Sequence, residues 1–261
     1  MKVISINTLC GLHNMLYDKK NLNKKIDVEN NFLDINNLFW SQVLSHETIR
    51  KTINNFVQIS SILGTLSIQE QYVVSAPNTF INKLTEAKNN IIHTEIDEKT
   101  LFSYIETLNI FCMIYNKLLP TNFTFTIDQG FHRSSSSAKE MLEHCLLEYS
   151  NPYLHFIMET VLPIILNWEP DIIFMKGIPN IGSFAIAKLV KQKLPKVHIS
   201  ITNHSTEYYS INKIKNNLSA NIFFFECFDS VVLNQDYTET EKEIVNLLSK
   251  NSTLSDVPNI L

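Results

Sequence analysis

The sequence predicts an α/β fold: a doubly wound, mostly parallel sheet with a large helical insert. Three observations carry this. Between Trp168 and Leu233, short apolar runs alternate with loop-and-helix segments; the runs are Ile172–Met175, Val197–Ile201 and Ser230–Leu233. That alternation is the signature of parallel strands joined by crossover helices. Lys2–Leu9 alternates and is rich in β-branched residues, so a further strand opens the chain. Residues of about 47–120 form a succession of amphipathic helices, more than a minimal α/β sheet requires.

After the first strand, Cys10-Gly11 reads as an exit loop and 13–31 as a polar loop or weak helix. Phe32–Ile35 is a short run with the length of a second strand, and Asn36 or Asn37 is placed to cap the following helix. Leu38, Phe39, Val43 and Leu44 begin a helical pattern that reaches residue 63. Thr79–Asn89 gives a second amphipathic helix. A third carries Leu101, Ile105, Leu108, Phe111, Cys112 and Tyr115, capped by Asp97 and stopped by Pro120. Phe123–Ile127 alternates as a strand. Ser137 and Glu140 have the spacing of a capping box ahead of a helix over 138–148. A further helix over 153–167 feeds the strand at Ile172. The last helix starts near Thr238, and Glu239, Glu241 and Glu243 complement its dipole.

Composition narrows the function. The 261 residues are 44% hydrophobic with a formal net charge of −4, which supports a well-buried core and gives no electrostatic case for nucleic acid. The four cysteines (10, 112, 145, 227) have no metal-clip spacing, and no HxxxH, HxH or HExxH occurs, so no metal site is expected. Free cysteines and the absence of a signal-like opening point to the cytoplasm. The apolar run at 161–166 is broken by Pro163, so no membrane span is expected.

In parallel sheets, ligands sit beyond the carboxyl ends of the strands. The loops at 176–182, 202–207 and 234–238 are therefore the candidate site. Gly177 and Gly182 flank Ile178-Pro179-Asn180-Ile181, which is neither GxGxxG nor a P-loop. The segment allows close backbone approach to a ligand, or is a plain strand-to-helix turn. Lys176 could meet an anionic group. His204 follows the strand at Val197–Ile201 between Asn203 and Ser205, facing the crevice, and is otherwise a locally bonded loop histidine. His198 and Asp171 lie at the opposite end and read as structural. No GxSxG elbow supports a hydrolase triad.

Four stretches resemble a family. MKVISIN is similar to the opening strand, and FLDINNLFWSQVL to the Asp-x-Asn strand and helix, of the N-terminal cobalamin-binding-type domain of radical S-adenosylmethionine enzymes. WEPDIIFMKGIPN with AIAKLVKQKLPKVHISI resembles that domain's Pro-Asp strand, helix and next strand. FECFDSVVLNQDYTETEKEIVNLLSKNSTLSDVPNIL resembles its last strand and the linker into the catalytic barrel. The likeness covers the ends of the chain and little of its middle.

The resemblance implies one Rossmann-like, cobalamin-binding-type domain over 1–261 with a helical insert at about 47–120. It implies a cofactor- or substrate-binding module of a peptide maturase or methyltransferase. Its partners would be a precursor peptide or small-molecule substrate and the catalytic radical domain. Cobalamin would contact Lys176, Gly177, Asn180, Gly182, Asn203, His204, Ser205, Asn234 and Gln235. S-adenosylmethionine and a 4Fe-4S cluster would belong to a catalytic domain beyond residue 261, because this sequence has no CxxxCxxC. The family's paired glycines are replaced by Thr202-Asn203, and its Gly-Glu-Gly-Glu by Asn234-Gln235-Asp236-Tyr237. The chain by itself is thus expected to be non-catalytic. Two other readings remain open: a Rossmann-like half of a glycosyltransferase, and a non-catalytic peptide- or protein-recognition domain.

Overall fold

The structure is a computed structural model that describes residues 1–9, 12, 26–27, 31–91, 96–119, 123–128, 130–132, 138–177, 180–202, 226–232 and 237–250. The chain divides into two compact units. One comprises Met1–Leu9, Lys24–Ile35 and Ser134–Leu261, the other Cys10–Asn23 and Asn36–Arg133.

The first unit is α/β, built on a mostly parallel sheet. Its strands are β1 (Val3–Asn7), β2 (Ile26–Asp27), β3 (Phe32–Asp34), β6 (Ile172–Lys176), β7 (His198–Thr202) and β8 (Ser230–Val232), in the order β2-β3-β1-β6-β7-β8. Every pairing is parallel except β2 with β3. β6 reads Ile-Ile-Phe-Met-Lys, and its first four side chains are buried, as suits a strand covered on both faces. In chain order the strands step outward from β1 to β3, then return to its other side for β6, β7 and β8. The direction of winding therefore reverses between β1 and β6.

The helix Tyr237–Ser249 covers the β8 side of one face. Its Ile244 packs with Ile172, Phe174 and Val232, and Val3, Val245 and Leu248 close over them. The helix Ile181–Lys193 buries Gly182 through Ala187 and Val190. A helical stretch from Leu154 to Trp168 contains a π-turn at Ile157–Val161, immediately before Pro163. Proline has no N–H to give and its ring crowds the carbonyl four residues back, and the wider turn accommodates both.

At the amino ends of the strands, Asp171 accepts from the Lys2 amide at 2.6 Å. His198 lies 2.9 Å from the Ser230 hydroxyl, and burial lowers its pKa. Both residues hold strand ends together. Among the described residues no helix is long and apolar enough to cross a membrane.

The second unit is helical, with a hairpin of β4 (Thr124–Thr126) and β5 (Gly130–His132). The first helical pattern is interrupted: Ile35–Val43 and His46–Ile59 are separate helices, because the Ser45 hydroxyl accepts from the Thr48 amide and starts a new one. Asn36 and Asn37 do not cap. They are buried within the first turn of a helix that begins directly after β3. Ile68–Ser75 opens with a full capping box of Ser67 and Glu70, Pro77–Asn90 with proline in its first turn, and Glu98–Lys117 with Asp97. In the first unit, the helix expected over 138–148 ends at His144.

Aromatic rings fill the core of this unit. Phe125 stacks on Trp40 with centroids 5.0 Å apart and lies 4.6 Å from Phe131 and 5.0 Å from Tyr115. The Asn116 side chain donates to the Phe125 carbonyl at 2.9 Å and accepts from its amide at 2.5 Å. These two bonds attach the hairpin to the helix Glu98–Lys117. Phe125→Ala should cost about 3–5 kcal/mol, the range for emptying an aromatic core site. Urea unfolding of this unit, followed by near-ultraviolet circular dichroism, measures it.

Candidate functional site

The last paired residues of the strands form one row across the carboxyl edge of the sheet: Asp34, Asn7, Lys176, Thr202 and Val232. Residues in register across a parallel sheet share a face, so four polar side chains line up at the crest. Asn7 donates to Asp34 at 3.4 Å. Lys176 Nζ lies 3.6 Å from Glu241 Oε2, and both side chains are largely buried. The Thr202 side chain also bonds to Glu241.

Glu241 reaches this row because of its place on the last helix. It precedes Ile244, Val245 and Leu248 by three, four and seven residues, so it shares their face one turn nearer the helix start. Burial raises its pKa above 4.5, against the opposing charge and hydrogen bond of Lys176 and the bond from Thr202. Its Oε1 is buried with no hydrogen-bond partner among the described residues. A buried carboxylate oxygen without a donor is costly, and a ligand donor would satisfy it.

Beyond the row, the strands remain joined. Both the Thr8 amide and the Thr8 hydroxyl donate to the Lys176 carbonyl, each at 2.9 Å, and the Gly177 amide donates to the Thr202 carbonyl at 3.2 Å. Gly177 has φ of +121°, and a Cβ there would stand 2.3 Å from Thr8 Oγ1. The glycine allows β1 and β6 to close on each other, and the room beside it is taken by Thr8.

The predicted site residues divide as follows. Lys176 stands in the crest row. Gly177 sits directly beyond it. Asn180 caps the helix Ile181–Lys193 by accepting from the Ser183 amide at 3.0 Å, and its Nδ2 donates to the Leu9 carbonyl at 2.5 Å. Gly182 lies where a Cβ would meet Leu9 Cδ1 at 2.7 Å and Tyr153 Cδ2 at 3.3 Å, so it lets the helix pack close to the β1 exit. Asn203, His204, Ser205, Asn234 and Gln235 fall outside the described residues.

Sequence reasoning missed Asn7, Thr8 and Glu241, and reached Thr202 only as the first residue of the 202–207 loop. A signal existed for Glu241: among the three glutamates of that helix it is the one in phase with the apolar face. The register that aligns Asn7 with Lys176 had no such signal. A cavity of 690 Å³ opens at the opposite, amino-terminal edge, lined by residues that include Lys2, Asp171, Lys193 and Pro195. It lies away from the polar row, and the crest is the better candidate on the topological rule for such sheets. No group of three or more His, Cys, Asp or Glu among the described residues could hold a metal ion. No protein-family model, curated protein or solved structure matches the chain.

Gly177→Ala should destabilise by more than about 1–3 kcal/mol, the cost of backbone strain alone, because a clash with Thr8 is added. Gly64→Ala is the control. Its φ of +78° is also left-handed, but nothing lies within 4 Å of the added carbon, so strain is the whole cost. Chemical unfolding of the two variants compares them. Glu241 makes a pH-dependent contribution. Its folded pKa is raised, so its stabilising effect is full below pH 4.5 and is lost as pH rises through the folded value. Glu241→Gln removes that loss, and unfolding midpoints across this range should move in favour of the variant as pH increases.

Proposed function

We propose that the α/β unit is a ligand-binding module on a doubly wound, Rossmann-like sheet, with its ligand at the crest between β1 and β6. The observation that carries this is the coincidence of two features. The strand order reverses at that point, and in such sheets ligands sit outside the carboxyl ends there. The same edge holds Asn7, Lys176, Thr202 and the unpartnered oxygen of Glu241.

The likeness to the N-terminal domain of radical S-adenosylmethionine enzymes extends the reading. The chain serves such an enzyme by holding substrate, a precursor peptide or a small polar molecule, and does no radical chemistry itself. Substrate is favoured over cobalamin by the described residues at the crest. A corrin is broad and flat and needs an open floor. Here Thr8 fills the room beside Gly177, and a charged pair stands at the end of β6. These residues do not fit the macrocycle. They fit a ligand that donates to Glu241 and accepts from Lys176, such as an amide or an amino acid.

Two titrations test the reading. Thermal shift against a panel of amino acids and short peptides should reveal ligands whose effect is lost in Lys176→Met and Glu241→Gln, a loss of about tenfold in affinity for each charged contact removed. Visible absorbance with hydroxocobalamin should show no spectral change. A saturable change would restore the cobalamin reading. Absence of any ligand, or ligands indifferent to both substitutions, would remove the crest as the site.

A further inference from the structure

A cleft of 610 Å³ opens within the helical unit. Its walls include Tyr72, Phe80, Lys83, Glu86, Tyr104 and Ile110. On one wall, the Tyr72 ring meets Phe80 edge to face with centroids 6.4 Å apart. The Lys83 ammonium lies over the Tyr72 ring, 5.2 Å from its centroid. A cation held by a ring quadrupole has no counter-ion in that contact, and no carboxylate pairs with Lys83 among the described residues. The Tyr72 hydroxyl is buried with no hydrogen-bond partner among them. On the other wall, Tyr104 donates to Glu86 Oε1 at 3.2 Å and accepts from Asn90 at 3.2 Å. That side is satisfied, and the Tyr72 side is not.

Among the described residues, a donor without an acceptor and an ammonium without a paired carboxylate, on two residues that line one cleft, call for the same group. Phe80 and Ile110 add apolar surface. Lys99 and Glu106, both exposed and of opposite charge, also line the cleft and leave its balance unchanged. Glu86 and Glu106 together disfavour a doubly charged group such as a phosphate. We propose that the cleft is a binding site for a carboxylate carried on an aromatic or apolar body. The source is either a small aryl acid or an acidic side chain beside an aromatic one in a peptide. The site is independent of the crest, since every residue in it belongs to the helical unit.

The test is an NMR titration of the whole chain. The probes are 3-phenylpropionate, its neutral amide and the peptide N-acetyl-Glu-Phe-amide. The carboxylate should give saturable shifts at the Tyr72 and Lys83 amides, and the neutral amide should bind about tenfold more weakly. Tyr72→Phe and Lys83→Met should each weaken binding by about fivefold or more. Tyr72→Phe should also raise the melting temperature of the free chain, because it removes a buried hydroxyl that has no partner. A purely structural tyrosine would lose stability instead. Tighter binding of the peptide than of the acid assigns a protein source, and the reverse order assigns a small molecule. The proposal is overturned if neither acid binds, if both variants bind like the parent, or if Tyr72→Phe melts lower.

Discussion

The pairing of β1 with β6 is the contact on which the α/β unit depends. It joins Val3–Asn7 to Ile172–Lys176 in a five-residue parallel register across most of the chain. Loop-closure entropy opposes so distant a pairing, though only logarithmically with length. The intervening chain also shortens the effective loop. Asn36–Arg133 makes up most of a compact unit with its own aromatic core and its own helix caps, so much of the connection is a folded body. Local contacts can therefore form before the long-range one is required.

Once β1 lies beside β6, the rest of the crest follows from registry. Asn7 must stand next to Lys176, and Lys176 next to Thr202. Gly177 then has to pass Thr8 at a distance that excludes any side chain. Packing of Ile244, Val245 and Leu248 against the sheet brings Glu241 to the same row. The apolar contacts do the positioning, and the ionic contact follows from them. Burying the pair is not a strong source of stability, because desolvation offsets much of the attraction. In the proposed ligand-binding reading, the pair is preparation for a third group.

The two units present the same chemical logic in different settings. Each holds a lysine with a neighbouring polar group whose hydrogen bonding is incomplete: Glu241 beside Lys176, and Tyr72 beside Lys83. Buried Glu70 differs from Glu241 in the direction of its pKa shift. Burial opposes its ionisation, yet its bonds from Ser67 and the ammonium of Lys117 at 3.3 Å together hold its pKa below the usual value. Glu70 is thus a helix cap; its Oε1 also lacks a hydrogen bond among the described residues and has the Lys117 ammonium as its neighbour.

The amino-acid sequence by itself determined the elements whose cause is local. Continuous apolar runs mark β6 and β7, Asp97 starts a helix, and the run of amphipathic segments marks the helical unit. It also offered the loop that follows Lys176 as one place for a ligand. It misjudged Asn36 and Asn37 as caps because nothing local reveals that their helix starts directly from a strand. It offered Asn180 and Gly182 as ligand contacts, and the fold adds that one ties a helix to Leu9 and the other lets that helix approach. The tertiary structure alone decided the strand order, the polar row and the partner of Lys176. These depend on which strands become neighbours and in which register. That choice is set by the burial of whole faces over long range, and periodicity along the chain does not encode it.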